Sequence, residues 1–152
     1  MLIYIGADHR GFQLKESLEK FLKDQGYEVV DIGNNEYDEN DDYPDWILPA
    51  VKAVSRDLEN NIESKAIILG GSGQGEAMAA NRVPGIRAAV LYNYNEDIIK
   101  LSKEHNNANV LSLGARFISE EDAKKSIKLW LDTNFLKEER HQRRIEKIDF
   151  KG

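Results

Sequence analysis

The run Ile67-Ile68-Leu69-Gly70-Gly71-Ser72-Gly73-Gln74-Gly75-Glu76 joins an apolar strand to a glycine loop that ends in a carboxylate. Glycines let several backbone N–H groups converge on one anionic oxygen, and a helix beginning near residue 74 adds the positive end of its dipole. Glu76 then stands where a proton could be taken. An oxyanion cradle beside a carboxylate is what proton abstraction next to a carbonyl requires. Two commoner phosphate loops do not fit. A Walker-type loop from Gly70 needs Lys after Gly75, where Glu76 would repel a triphosphate; a dinucleotide fingerprint lacks its third glycine at 76 or at 78, where Met78 stands. The alternative is a plain strand-to-helix turn in which Glu76 only complements the helix dipole.

The three histidines fall at loop or helix ends: His9 after the first expected strand, His105 before the fifth, His141 in a basic tail. Singly, each suits a surface or structural role. Jointly, Asp8-His9, Glu104-His105-Asn106 and Arg140-His141 with Arg144 one turn on are polar sets placed where a strand-edge pocket is expected.

The elements that must position these groups alternate. Leu2 to Ala7 is an apolar run opening into a loop. Phe12, Leu14, Leu18, Phe21 and Leu22 recur at helical spacing before Gln25-Gly26. Tyr27 to Ile32 is a second strand, and residues 33 to 45 form a long polar and acidic loop. Trp46 to Val54 reads as a helix, Ala66 to Leu69 as a strand, Glu76 to Arg82 as a helix, and Ile86 to Leu91 as a strand. Glu96 to His105, Val110 to Leu113 and Glu120 to Leu131 complete the series as helix, strand and helix. Such alternation predicts an α/β three-layer αβα sandwich, a doubly wound, five-stranded parallel sheet of Rossmann-like type. Ligands then bind beyond the carboxyl ends of the strands, so Asp8-His9, the 71–76 loop, Tyr92-Asn93 and Gly114-Ala115-Arg116 are expected along one edge. The cation-rich stretch from Glu138 to Arg144 departs from the alternation. It reads as a C-terminal helical extension, residues 138–152, packed on a second subunit of a homodimer.

At 152 residues, with 41% hydrophobic and 32% charged, the chain reads as a single domain over 1–152. A net charge of -6 argues against nucleic-acid and membrane partners, although a local basic cluster could hold a small anion. With no cysteine there is no disulfide, thiolate catalysis or Cys-ligated metal. No apolar stretch approaches the roughly 20 residues of a membrane span, and the first residues lead into a strand without a leader pattern, so a cytoplasmic location is expected.

The ordered blocks Gly-Ala-Asp-His-Arg-Gly-Phe, Asp-Tyr-Pro, Gly-Gly-Ser-Gly-Gln-Gly-Glu with Ala-Ala-Asn-Arg, Gly-Ile-Arg-Ala, Glu-His-Asn-Asn-Ala-Asn-Val, Leu-Gly-Ala-Arg and Arg-His-Gln-Arg-Arg resemble one family. It is that of the type B ribose-5-phosphate isomerases, which also contains the galactose-6-phosphate isomerase subunits. The likeness runs from Gly6 to about Ile148. It implies an aldose–ketose isomerase of a sugar phosphate that uses no metal and no cofactor and works through a cis-enediolate. On this chain, Glu76 would remove the C2 proton and return it at C1. The N–H groups of Gly71, Gly73, Gln74 and Gly75 would hold the oxyanion, with Asn106 on the enediolate. Ser72 would position the open-chain sugar, Asp8 its hydroxyls, and Tyr43 would line the sugar pocket. His105 would open the ring. His9, Arg116, Arg140, His141 and Arg144 would take the phosphate, some of them from the partner in a dimer or tetramer with shared sites.

Many members of that family carry a cysteine base where Gly70 stands, whereas a second group uses a loop glutamate, which Glu76 matches. A glutamate, at about 4.3, is already ionised at neutral pH and gains basicity where a closed site desolvates it. The expected substrate is ribose 5-phosphate. A six-carbon phosphate such as galactose or allose 6-phosphate is the first alternative, with the acidic loop 34–42 setting the pocket length, and a non-catalytic sugar-phosphate binding module is the second.

Overall fold

The computed structural model describes residues 1–149. In chain order the elements are β1 (Leu2–Ala7), α1 (Phe12–Asp24), β2 (Glu28–Gly33), α2 (Tyr43–Glu59), β3 (Ser64–Gly70), α3 (Gln74–Ala80), β4 (Ala88–Leu91), α4 (Glu96–Glu104), β5 (Val110–Gly114), α5 (Glu120–Asp132) and α6 (Glu139–Glu146). The five strands pair in parallel in the order β2-β1-β3-β5-β4. The expected α/β sandwich is present.

The face each helix covers follows from the direction the chain travels. Right-handed crossovers put helices that carry the chain one way on one face and those that carry it back on the other. Accordingly α1 (β1 to β2) and α4 (β4 back to β5) share a face with α5, while α2 and α3, which lead the other way, cover the opposite face. The side chains obey the two-residue strand period. Ile3, Ile5 and Ala7 of β1, Ile67 and Leu69 of β3, and Leu111 and Leu113 of β5 join the core under α1, α4 and α5. Tyr4, Ala66, Ile68 and Val110 meet Ile47, Ala50, Val51 and Val54 of α2. Strands covered on both faces read as near-continuous apolar runs, which is why β1 and β3 stand out in the sequence.

Of the boundaries that differ from the sequence reading, two have a clear local cause. Helix α2 starts at Tyr43, not at Trp46, because Pro44 falls in its first turn, where a fixed φ and a missing N–H are tolerated. The loop after β2 is therefore 34–42. Strand β4 starts at Ala88, not at Ile86: the Ile86 N–H donates to the Val83 carbonyl at 3.2 Å and the Arg87 N–H to the Asn109 side chain at 2.8 Å, so both N–H groups are taken up before the strand begins. Of the expected extension 138–152, residues 139–146 are α6 and residues 150–152 lie outside the described residues. Among the described residues, no helix is long and apolar enough to cross a membrane.

Candidate active site

All five strands point their carboxyl ends to one edge, and the loops after β1, β3 and β5 meet there. The glycine loop between β3 and α3 is held from the β5 side. Its Gly70 and Gly71 carbonyls accept from the Ala115 and Arg116 N–H groups at 2.8 and 3.0 Å, and the Ser112 hydroxyl donates to the Gly73 carbonyl at 2.7 Å. Gly73 has φ +74, and a Cβ there would stand 3.0 Å from Ser112 Oγ and the Leu113 carbonyl carbon, so both the conformation and the space call for glycine. With the carbonyls tied down on one side, the N–H groups of Gly71, Ser72, Gly73 and Gly75 have no protein acceptor among the described residues. Gln74 is an exception to the expected cradle: its N–H donates to Ser72 Oγ at 3.3 Å.

Glu76 lies in the first turn of α3 and is buried to 4% exposure. Its carboxylate is folded back over Gly70, so close that a Cβ at residue 70 would collide with it. Burial raises its pKa above the ordinary glutamate value; its own N–H opposes the shift, and the adjacent Asp8 carboxyl adds to it through charge and a side-chain hydrogen bond. Asp8, also buried, is fixed by the Arg10 and Gly11 N–H groups, which donate to its Oδ1 at 2.9 and 3.2 Å. Tyr43 closes the loop from the α2 side, where a Cβ on Gly75 would stand 2.8 Å from its hydroxyl.

Beside Asp8, His9 Nδ1 lies 2.6 Å from Asp41 Oδ1. Arg116 and Arg10 flank Gly71, with Arg10 Cγ at 3.5 Å and Arg116 Nη2 at 4.0 Å from the position of a Cβ there. Neither guanidinium pairs with a carboxylate among the described residues. Arg10 was not singled out in the sequence, although it stands next to His9 in the Asp-His-Arg-Gly block. Asp41 was visible only as one acid in an acidic loop, because nothing in the residue order marks it as the inward-facing one. On the far side of the loop, Ser72, Gln74, Tyr92, Asn93 and Phe117 line an open cavity of about 500 Å³.

The structure does not bring the remaining expected residues to this edge. Helix α4 runs against the strands, so His105 and Asn106 at its end sit at the amino-terminal edge, just before β5. The Arg87 side chain, just before β4, donates to the Asn106 carbonyl at 2.9 Å. Segment 133–149 lies at the same end: the Leu136 N–H donates to the Glu104 carbonyl at 3.0 Å, and the His141 ring stacks on His105 at 4.3 Å and 19°. The expectation that all three polar sets share one strand-edge pocket is thus corrected for a single chain. His105, Asn106, Arg140, His141 and Arg144 form a second cluster, separated from Glu76 by the length of β5, roughly 15 Å. His141 is buried, and its Nε2 has no hydrogen-bond partner among the described residues. Burial, then the nearby His105 and Arg140, lower its pKa.

Fold and site together define a doubly wound α/β protein with a buried carboxylate beside a glycine loop and two cations at the carboxyl edge of its sheet. Residues 3–148 match the sequence model of the ribose/galactose isomerase family, and the chain belongs to that family. It is 39% identical over 146 residues to the ribose-5-phosphate isomerase B of Mycobacterium tuberculosis, an alignment covering 96% of this chain and 86% of that protein. The crystal structure of ribose-5-phosphate isomerase B from Mycoplasma genitalium with bound ribulose-5-phosphate matches with a TM-score of 0.88 at 39% identity, over 97% of this chain and 93% of that one. The Clostridium thermocellum ribose-5-phosphate isomerase B structure matches equally, with a TM-score of 0.88, 41% identity, and 97% and 95% coverage.

Proposed function

We propose that this chain interconverts ribose 5-phosphate and ribulose 5-phosphate, with Glu76 moving a proton between C2 and C1 of the open-chain sugar. The observation that carries the reading is the buried Glu76 carboxylate, pushed toward basicity and set beside backbone N–H groups that lack acceptors among the described residues. Removal of the C2 proton places negative charge on the carbonyl oxygen, and preorganised N–H donors stabilise that charge most where water is excluded. The same carboxyl returns the proton at C1, so the site ends as it began. Asp8 and Ser72 orient the hydroxyls, Tyr43 bounds the sugar, and His9 and Arg116 receive the phosphate, with Arg10 as a further cation beside them.

In this reading the second cluster acts on the neighbouring subunit. His105 and Asn106 attend to ring opening and the enediolate, and Arg140, His141 and Arg144 add to the phosphate site across a cytoplasmic homodimer of single-domain chains. The family description names galactose as well as ribose, so a six-carbon sugar phosphate is the second reading. Loop 34–42, which borders the site through Asp41, would decide between the two.

The test is metal-free turnover of ribose 5-phosphate beside allose 6-phosphate and galactose 6-phosphate, by wild type and Glu76→Gln. Pentose conversion that falls about a hundredfold or more in the variant is expected for loss of a general base. A hexose preference would move the substrate and keep the base, and unchanged turnover in Glu76→Gln would remove Glu76 from the mechanism.

A further inference from the structure

Loop 34–42 carries five acidic side chains, and Asp41 alone among them is withdrawn from solvent, with 3% side-chain exposure. Withdrawing a carboxylate from water is costly unless donors replace the lost hydration. Two donors do so here: His9 at 2.6 Å through Nδ1, and Asn34 Nδ2 at a longer 3.4 Å from the other carboxylate oxygen. Asn34 is itself buried, and its Oδ1 accepts the Glu36 N–H at 3.1 Å, so the carboxylate is braced by the loop's own backbone. An ionised carboxylate only accepts, which places a proton on His9 Nδ1. Tyr37 meets the ring edge-on, with centroids 6.1 Å apart at 85°. Nε2 has no protein partner among the described residues, and the side chain keeps 19% exposure at the carboxyl end of β1.

We propose that Asp41 is the positioning residue for His9, fixing its tautomer and tilt so that Nε2 is offered to the phosphate of the substrate. The proposal rests on the sugar-phosphate isomerase reading of this edge. In the phosphate complex both ring nitrogens donate, one to Asp41 and one to a phosphate oxygen, and the Asp41 carboxylate balances the ring charge that this demands. Without that balance the charge-assisted bond to phosphate weakens, while proton transfer at Glu76 is untouched. Loop 34–42 is in this way part of the phosphate site without contacting the phosphate.

The experiment pairs histidine ring ¹H–¹⁵N NMR of the full chain, with inorganic phosphate as the probe, with kinetics of Asp41→Asn, His9→Ala and the double variant. In the wild type we expect His9 protonated at Nδ1, and in Asp41→Asn a redistribution between the ring nitrogens. Loss of one charge-assisted contact should raise KM for ribose 5-phosphate about tenfold and leave kcat within about twofold. The double variant should be no worse than His9→Ala, because Asp41 acts through that ring. Additive losses, a fall in kcat at constant KM, or a wild-type His9 without a proton on Nδ1 would each overturn the proposal; the last needs no variant to fold. A wild type that turns over no sugar phosphate, yet shows the Asp41-dependent tautomer and binds phosphate, would support the role of Asp41 and overturn the isomerase reading.

Discussion

Glu76 is placed where its chemistry and its effect on stability oppose each other. Its carboxyl is held above the ordinary value by burial and by Asp8, so the folded protein favours the neutral form more than the unfolded chain does. That contribution to stability is fully present below the unfolded-chain value of about 4.3 and is lost as pH rises through the higher folded value. Glu76→Gln, which is neutral at every pH, should therefore unfold at a higher temperature than wild type near pH 7, with the difference closing below about pH 4. Thermal melts of both proteins across that range check this, and a difference independent of pH would contradict it. Glu76 and Asp8 were legible in the sequence because a glycine loop and an Asp-His pair follow apolar runs, and apolar runs in alternating order become neighbouring strands. The inward turn of Asp41 was not legible, because five acids in one loop look alike until backbone geometry selects one.

At the scale of elements, α1 is fastened to β2 by a charge. Lys15 on α1 is fully buried, and its ammonium meets Asp31 Oδ2 of β2 at 2.5 Å and Glu16 Oε1 at 3.0 Å. Carboxylate oxygens of Glu16, Glu19 and Asp31 lie within 4.8 Å of one another, and the ammonium groups of Lys15 and Lys23 supply their counter-charge. Replacing Lys15 with Met should cost about 2 to 3 kcal/mol in denaturant unfolding, under the range for a fully buried pair because Asp31 keeps 15% side-chain exposure. A loss under about 0.5 kcal/mol would show that hydrophobic packing of the stem dominates instead. Element types were readable throughout from periodicity. Boundaries slipped where a local feature outranked it, as at Pro44, which starts α2, and at Arg87, whose N–H turns to Asn109.

For the whole molecule, the decisive fact is that the two polar clusters lie at opposite edges of the sheet. The residue order held the needed clue: a helix that returns the chain to the next parallel strand ends at the edge where that strand begins, which puts His105 with Arg87 and away from Glu76. What the order leaves out is how α6 folds back, and the His105–His141 stack fixes that. If each site draws on both edges of two different chains, two inactive variants should rescue one another. Glu76→Gln mixed with Arg144→Ala, unfolded and refolded together in equal amounts, should recover about a quarter of wild-type turnover, since half the dimers then hold one unaltered site. No recovery in a mixture shown to contain heterodimers would assign both clusters to separate tasks.

The collision between a side chain at position 70 and the Glu76 carboxylate has a consequence for how such a protein can change over generations. Under the proposed mechanism, a first step that adds a side chain at 70 must push the glutamate aside before a replacement base is working, and one that shortens residue 76 removes the base. On that mechanism a side chain at 70 and the present pose of Glu76 exclude one another, so moving the base from one position to the other takes two changes.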